Sequence, residues 1–260
     1  MVSDESDAPA EAAEAAEAAA RAAAPNTLRQ RARRLRREEL GMVPWLPVLD
    51  AADRARALDA LLAVEAGPGE FLCKIGRPAN YWFGVLDGLL KMSNDSSQGA
   101  HITFTGVPPG AWFGEGTLLK RESYRYNIEP LRRTVISGLP IDEFHGLLER
   151  SIPFNRYVMS LLNERLGQFI GAREIDRMND PDSRVARSLA ALFHPVLYPG
   201  VGELLRITQQ ELAYLVGLSR QRVNESLRVL QGAGAIRIEY GGVRVLELER
   251  LRHWRPGQRG

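Results

Sequence analysis

The chain has 260 residues, 45% hydrophobic and 25% charged, with a formal net charge of +2. That length accommodates two compact domains, and the composition excludes collagen-like, mucin-like and wholly disordered chains. The single cysteine, Cys73, excludes an internal disulfide, a four-cysteine iron–sulfur cluster and a multi-cysteine zinc site.

No stretch approaches the roughly 18 to 20 apolar residues of a membrane-spanning helix. The opening MVSDESDAPAEAAEAAEAAA is acidic where a signal peptide is basic, so the expectation is a cytoplasmic protein with no membrane partner. Alanine and glutamate dominate residues 1–24, which have nothing large to bury. An arginine-dense run follows from Leu28 to Arg37, read as a solvated helical segment or the result of an over-called start codon, or else as a non-specific phosphate clamp. Residues 1–40 are thus expected to be a disordered tail rich in alanine, glutamate and arginine.

From 41 to 150 short apolar runs alternate with glycine, proline and asparagine. Glu70–Lys74, Tyr81–Leu86, Leu89–Met92, His101–Phe104 and Thr134–Ser137 read as strands of a small antiparallel sandwich or barrel. The period then changes. Between Phe154 and Arg177 the apolar residues Val158, Leu162, Leu166, Phe169 and Ile170 recur at three- and four-residue spacing, predicting one long helix within 151–179. Asn179-Asp180-Pro181 ends it, since a residue before proline is pushed out of the helical region.

Residues 180–260 carry 12 arginines against eight acidic residues, more basic than the whole. Helices are predicted over Ser183–Leu197, Thr208–Gly217 and Ser219–Leu230. Ile236–Tyr240 and Val243–Leu246, joined at Gly241-Gly242, read as a β-hairpin. Thr208 and Glu211 form a capping box for the second of these helices, and Gly217 supplies the positive φ of a sharp turn. Ala213 is small where helices approach, Ser219 caps the next helix, and Val223, Leu227 and Leu230 face inward. Arg220, Gln221, Arg222, Asn224 and Glu225 are left to contact DNA, with Thr208 and Ser219 at the caps. The pattern is a winged helix-turn-helix.

On these residues the chain resembles the Crp/Fnr family of bacterial transcription regulators, from about Leu46 to Leu251. The segment Ile207–Arg220 is similar to the family signature, and Arg220 falls where the family reads a guanine. The resemblance implies an α+β fold: an N-terminal β-roll of the cyclic-nucleotide-binding, jelly-roll type over 41–150, a long dimerisation helix over 151–179, and a winged helix-turn-helix DNA-binding domain over 180–260. It implies a homodimer acting on double-stranded DNA at a near-palindromic operator, with RNA polymerase as a partner.

Trp112-Phe113-Gly114-Glu115 looks like the start of the family's phosphate-binding cassette, with Arg125 ten residues past Glu115. In cyclic-nucleotide-binding members that glutamate bonds the ribose hydroxyl and that arginine the cyclic phosphate, so Gly114, Glu115, Arg125 and Tyr126 are the effector-pocket candidates. Tyr126 stands where cyclic-AMP binders carry serine or threonine, and Lys120–Tyr124 replaces the cassette's small residues. Cyclic AMP is therefore expected to bind weakly or not at all, and a tyrosine ring to fill the pocket or Glu115 simply to pair with Arg125.

No cofactor or metal is assigned. His101, His145, His194 and His253 are scattered singletons that offer no haem site, and Cys73 reads as a small buried hydrophobe. No catalytic motif is present, so no catalytic residue is named and an enzyme is not expected. The competing reading is a ligand-binding or protein-interaction module of the same fold whose DNA binding has lapsed.

Overall fold

The computed structural model describes residues 30–95, 101–255 and 257; the expectations for residues 1–29 lie outside them. Residues 30–40 of the expected tail are packed on the globule. Strand β1 (Arg33–Arg34) precedes a 3-10 turn over Arg37–Met42. Arg33 binds Glu39 at 2.8 Å, while Arg31 pairs with Glu70 and Arg34 with Asp59, so these arginines are held by carboxylates. Two of those partners lie 25 and 39 residues away, beyond any local pattern. Leu35 and Leu40 pack against the core.

Helix α1 (Ala51–Ala60) is capped by Asp50, which accepts the Asp53 amide at 2.8 Å. The roll follows as β2 (Leu62–Ala66), β3 (Tyr81–Asp87), β4 (Leu90–Asp95), β5 (His101–Val107), β6 (Trp112–Phe113), the short helix α2 (Glu115–Leu119), β7 (Asn127–Pro130) and β8 (Thr134–Pro140). One sheet has the order β1-β2-β8-β3-β6 and the other β5-β4-β7. All pairings are antiparallel, with Val64 opposite Ile136, Phe83 opposite Gly138 and Met92 opposite Ile128. Glu70–Lys74, expected as a strand, contributes only an isolated bridge from Cys73 to Ile128. Cys73 is buried, and burial pushes its thiol pKa up.

Aromatic rings knit the roll to the helices that leave it. Trp82 lies 4.7 Å from Trp112, 5.4 Å from Trp45, 5.2 Å from Phe144 and 5.7 Å from Phe154, centroid to centroid. Gly84 is obligatory beneath this cluster, since a Cβ there would meet the Trp112 ring at 2.3 Å.

Helix α3 (Ile141–Arg150) leads into α4 (Ile152–Asp176), capped by Ser151, whose hydroxyl accepts the Phe154 amide at 3.3 Å. At 25 residues α4 is about 37 Å long. It has two apolar faces where the sequence suggests one stripe. Phe154, Val158 and Leu161 are buried in the chain's own core, and Leu162 and Phe169 are half-buried. Ile152 (67% exposed), Met159 (60%), Leu166 (61%) and Ile170 (65%) form a separate row facing outward.

The C-terminal part begins with α5 (Pro181–Ala191), capped by Asp180, which accepts the Ser183 amide at 2.8 Å. It ends before the expected Leu197 because Pro195 cannot continue a helix. After β9 (Leu204–Leu205) come α6 (Gln209–Val216), α7 (Arg220–Gly232), β10 (Ile236–Glu239), β11 (Gly242–Val245) and α8 (Leu248–Arg252). The small sheet β10-β11-β9 is the wing, with Tyr240 fully exposed at its tip.

Candidate DNA interface and sensor cleft

The helix-turn-helix is built by its end groups. Thr208 Oγ1 accepts the Glu211 amide at 3.1 Å, and a Glu211 carboxylate oxygen accepts the Thr208 amide at 2.7 Å. This reciprocal cap starts α6. Gly217 ends it at φ +64°, in the left-handed region that glycine enters without penalty. Ser219 starts α7, its hydroxyl accepting the Arg222 amide at 3.2 Å. Ala213, Val223, Leu227 and Leu230 are buried between the helices.

At 100° per residue, positions 220, 221, 224, 225 and 228 of α7 share one side. Arg220, Gln221, Glu225 and Arg228 are exposed there, and Arg220 makes no hydrogen bond or ion pair with any described residue. Gln221 Nε2 donates to Glu225 at 3.3 Å, and Asn224 is half-buried and accepts from Gln209 Nε2 at 3.0 Å. Arg222 departs from the sequence expectation. It lies beside Ser226, one turn on, and its guanidinium donates to Asp182 of α5 at 3.2 Å and to Glu225 at 2.8 Å. Ser226 also donates to Asp182, at 2.6 Å. Arg222 therefore braces α7 against α5 instead of standing free on the outer face.

In the roll, Gly114 adopts φ +95° and opens α2, so that Glu115 turns inward, 2% exposed. The expected pairing of Glu115 with Arg125 does not form. Arg125 points outward, its side chain 77% exposed, and donates to Glu122 at 3.0 Å. Arg165 of α4 reaches Glu115 instead: its Nε donates to Oε1 at 3.1 Å and its Nη2 to the Trp112 carbonyl at 2.8 Å. Burial lowers the Arg165 pKa, but the Glu115 charge and hydrogen bond outweigh it and the net shift is upward. Oε2 of Glu115 and Nη1 of Arg165 remain buried without a hydrogen-bond partner among the described residues.

Tyr126 curls back toward the opening of α2; its hydroxyl would sit 3.9 Å from a Cβ built on Gly114. Burial, with the Glu115 charge nearby, raises its pKa. These groups line a cleft of about 1050 Å³ whose other walls are Phe169 and Arg173 of α4 and Tyr214 of α6. The sequence reading missed Arg165. Its signal was present, because Phe154, Val158, Leu161 and Arg165 recur at four, three and four residues, placing a charge on a core-facing stripe.

A cassette-bearing roll, a long helix with an outward apolar row and a winged helix-turn-helix with an exposed reading face define a DNA-binding regulator that carries its own sensor. Residues 63–151 match the cyclic nucleotide-binding domain model and residues 183–254 the Crp-like helix-turn-helix domain model, together more than half of the chain. The cyclic AMP receptor protein of Thermus thermophilus is 28% identical over 163 residues, 63% of this chain and 74% of that protein. The transcriptional regulator SdrP of the same organism is 27% identical over 184 residues, covering 67% and 84%. Among solved structures, FixK2 from Bradyrhizobium japonicum shares the fold with a TM-score of 0.59 at 16% identity, covering 73% of this chain and 94% of that one. The chain belongs to the Crp/Fnr family of transcription regulators, and its fold is the α+β arrangement of that family. No described helix is long and apolar enough to cross a membrane.

Proposed function

We propose that this regulator acts as a homodimer on a near-palindromic operator, reading bases with α7 and answering an effector other than cyclic AMP. The observation that carries the DNA half is the exposed, unpartnered Arg220 at the first position of a capped recognition helix. A guanidinium fork there matches O6 and N7 of guanine in the major groove. Thr208 and Ser219, with their helix N-termini, lie where phosphates are expected, and Gln221, Asn224 and Glu225 supply further base contacts. Arg222 contributes by holding the helix.

The outward row Ile152, Met159, Leu166 and Ile170 is apolar, runs along a long helix and suits a second copy of α4. Such a dimer would present its recognition helices about 34 Å apart, one turn of the duplex. RNA polymerase is the further partner through which such binding acts on transcription.

In the sensor, Glu115 and Arg165 both line the cleft, and the oxygen and nitrogen they leave without a partner among the described residues offer an acceptor and a cationic donor. A ligand with a hydroxyl and an anionic group fits that pair. Cyclic AMP fits less well, because Arg125 is turned to Glu122 and Tyr126 replaces a compact donor.

Selection of operator sites from random DNA tests the reading. The natural protein should enrich one two-fold-related motif, and Arg220→Ala should lose about 1–3 kcal/mol and relax one base position in each half-site. Equal loss on all sequences would reduce Arg220 to a phosphate contact, and failure to enrich any motif would favour a module with lapsed DNA binding.

A further inference from the structure

The roll does more than sit beside the helix-turn-helix. Arg132, in the turn between β7 and β8, crosses to the DNA-binding domain and donates from Nη1 to both carboxylate oxygens of Glu211, at 2.7 and 2.9 Å. Its Nη2 donates to the Arg206 carbonyl at 2.8 Å and, within its own domain, to the Gly88 carbonyl at 3.4 Å. The turn that presents it is stiff. Gly88 is at φ +107°, a Cβ there would meet Thr134 at 2.4 Å, and the Thr134 hydroxyl accepts the Leu89 amide at 3.2 Å.

Glu211 is the same residue that closes the cap of α6, and its side chain is only 10% exposed. One carboxylate thus starts the helix-turn-helix and ties it to the sensor. Two close backbone approaches lie on the same boundary. A Cβ on Gly106 of β5 would meet Leu215 of α6 at 2.7 Å, and one on Gly110 would meet the Gly200 backbone nitrogen at 2.3 Å. Steric fit sets how near the two domains come, and the planar guanidinium of Arg132, with Nη1 on the Glu211 carboxylate and Nη2 on the Arg206 carbonyl, sets their angle. In this orientation Thr208, Arg220 and Gln221 remain exposed, so the joint leaves the DNA-reading side clear.

We infer that Arg132 is a positioning residue for DNA binding: its clasp on Glu211 fixes the orientation in which the sensor presents the recognition helix. Two half-sites can be engaged together only if both domains are held at the right angle. Free swivelling about the short connection between α4 and α5 would add an ordering cost to each binding event. The DNA part of this inference rests on the dimeric, operator-binding reading; the clasp itself does not.

The test separates the two. Spin labels at Asn80→Cys on the roll and Arg237→Cys on the wing, in dimers with one labelled chain, report the interdomain distance, since buried Cys73 stays unlabelled. The natural background should give one narrow distance, Arg132→Ala a broad one and Arg132→Lys an intermediate width. Thermal melting of the DNA-binding domain should hold in Arg132→Ala, because the Thr208–Glu211 cap remains. On the selected operator Arg132→Ala should bind about tenfold more weakly than the natural protein, with Arg132→Lys between them. A narrow, unchanged distance in Arg132→Ala would overturn the clasp, and tighter operator binding would overturn its positioning role. If the natural protein selects no operator, the DNA reading fails while the distance measurement still decides the clasp.

Discussion

The difference between Arg220 and Arg222 shows how little separates an arginine left free for a partner from one tied into the fold. Two positions apart on one helix, they are about 200° apart around its axis, and only Arg222 meets a carboxylate on a neighbouring helix, Asp182. His194 makes a similar point for titration. Its Nδ1 accepts the amides of Val196 and Leu197, both at 3.2 Å, which leaves Nε2–H facing Glu164 at 3.2 Å. Burial lowers its pKa, and the Arg252 and Arg165 charges add to that against the opposing pull of Glu164. The folded state therefore favours neutral His194, and the unfolded chain binds the proton more readily. The stability it contributes is complete above the ordinary histidine pKa of about 6.5 and is lost as pH falls through the lower folded value. The expected outcome is a melting temperature that drops more steeply below pH 6.5 in the natural protein than in His194→Asn, with an NMR titration placing His194 below 6.5. A midpoint above 6.5 would reverse the sign.

Among elements, α4 is where pattern and packing part company. A helix with apolar residues on two faces reads in one dimension as a single broad stripe, so Leu162 and Phe169 look equivalent to Leu166 and Ile170. The fold assigns them differently: the first two are half-buried against the core, and the last two face outward. Charge at Leu166→Glu with Ile170→Glu should convert the dimer to monomers in sedimentation and abolish tight operator binding, with little change in the melting of the roll. Leu162→Glu should destabilise the sensor instead, because it places a carboxylate against Gly116 and the cleft. An unchanged dimer in the double variant would put the seam on another surface.

For the whole molecule, the sensor cleft joins roll, long helix and helix-turn-helix, so what binds there bears on all three. Losing a hydroxyl bond to a charged phosphate is worth roughly 1.5–3 kcal/mol, about one to two orders of magnitude in affinity. Here the Tyr126 ring and the outward Arg125 act together with that loss. Calorimetry should show no micromolar binding of cyclic AMP or cyclic GMP to the natural protein and a gain in Tyr126→Ser. Micromolar binding by the natural protein that vanishes in Arg125→Ala would restore the ordinary cyclic-nucleotide role of the cassette.

What the amino-acid sequence determined by itself was local. The Thr208–Glu211 capping box, Gly217 at positive φ, the Ser219 cap and the glycine-jointed wing depend on residues within a few positions of one another, and their chemistry is readable in one dimension. The order of roll, long helix and reading domain follows from where the hydrophobic period changes. Partnership across distance was decided only by the tertiary structure. Arg165 rather than Arg125 meets Glu115 from 50 positions away, Arg132 meets Glu211 from 79, and Arg31 and Arg34 meet Glu70 and Asp59 from 39 and 25. An ion pair's geometry depends on where whole elements pack, and nothing in a residue's neighbours along the chain encodes which distant charge it will face.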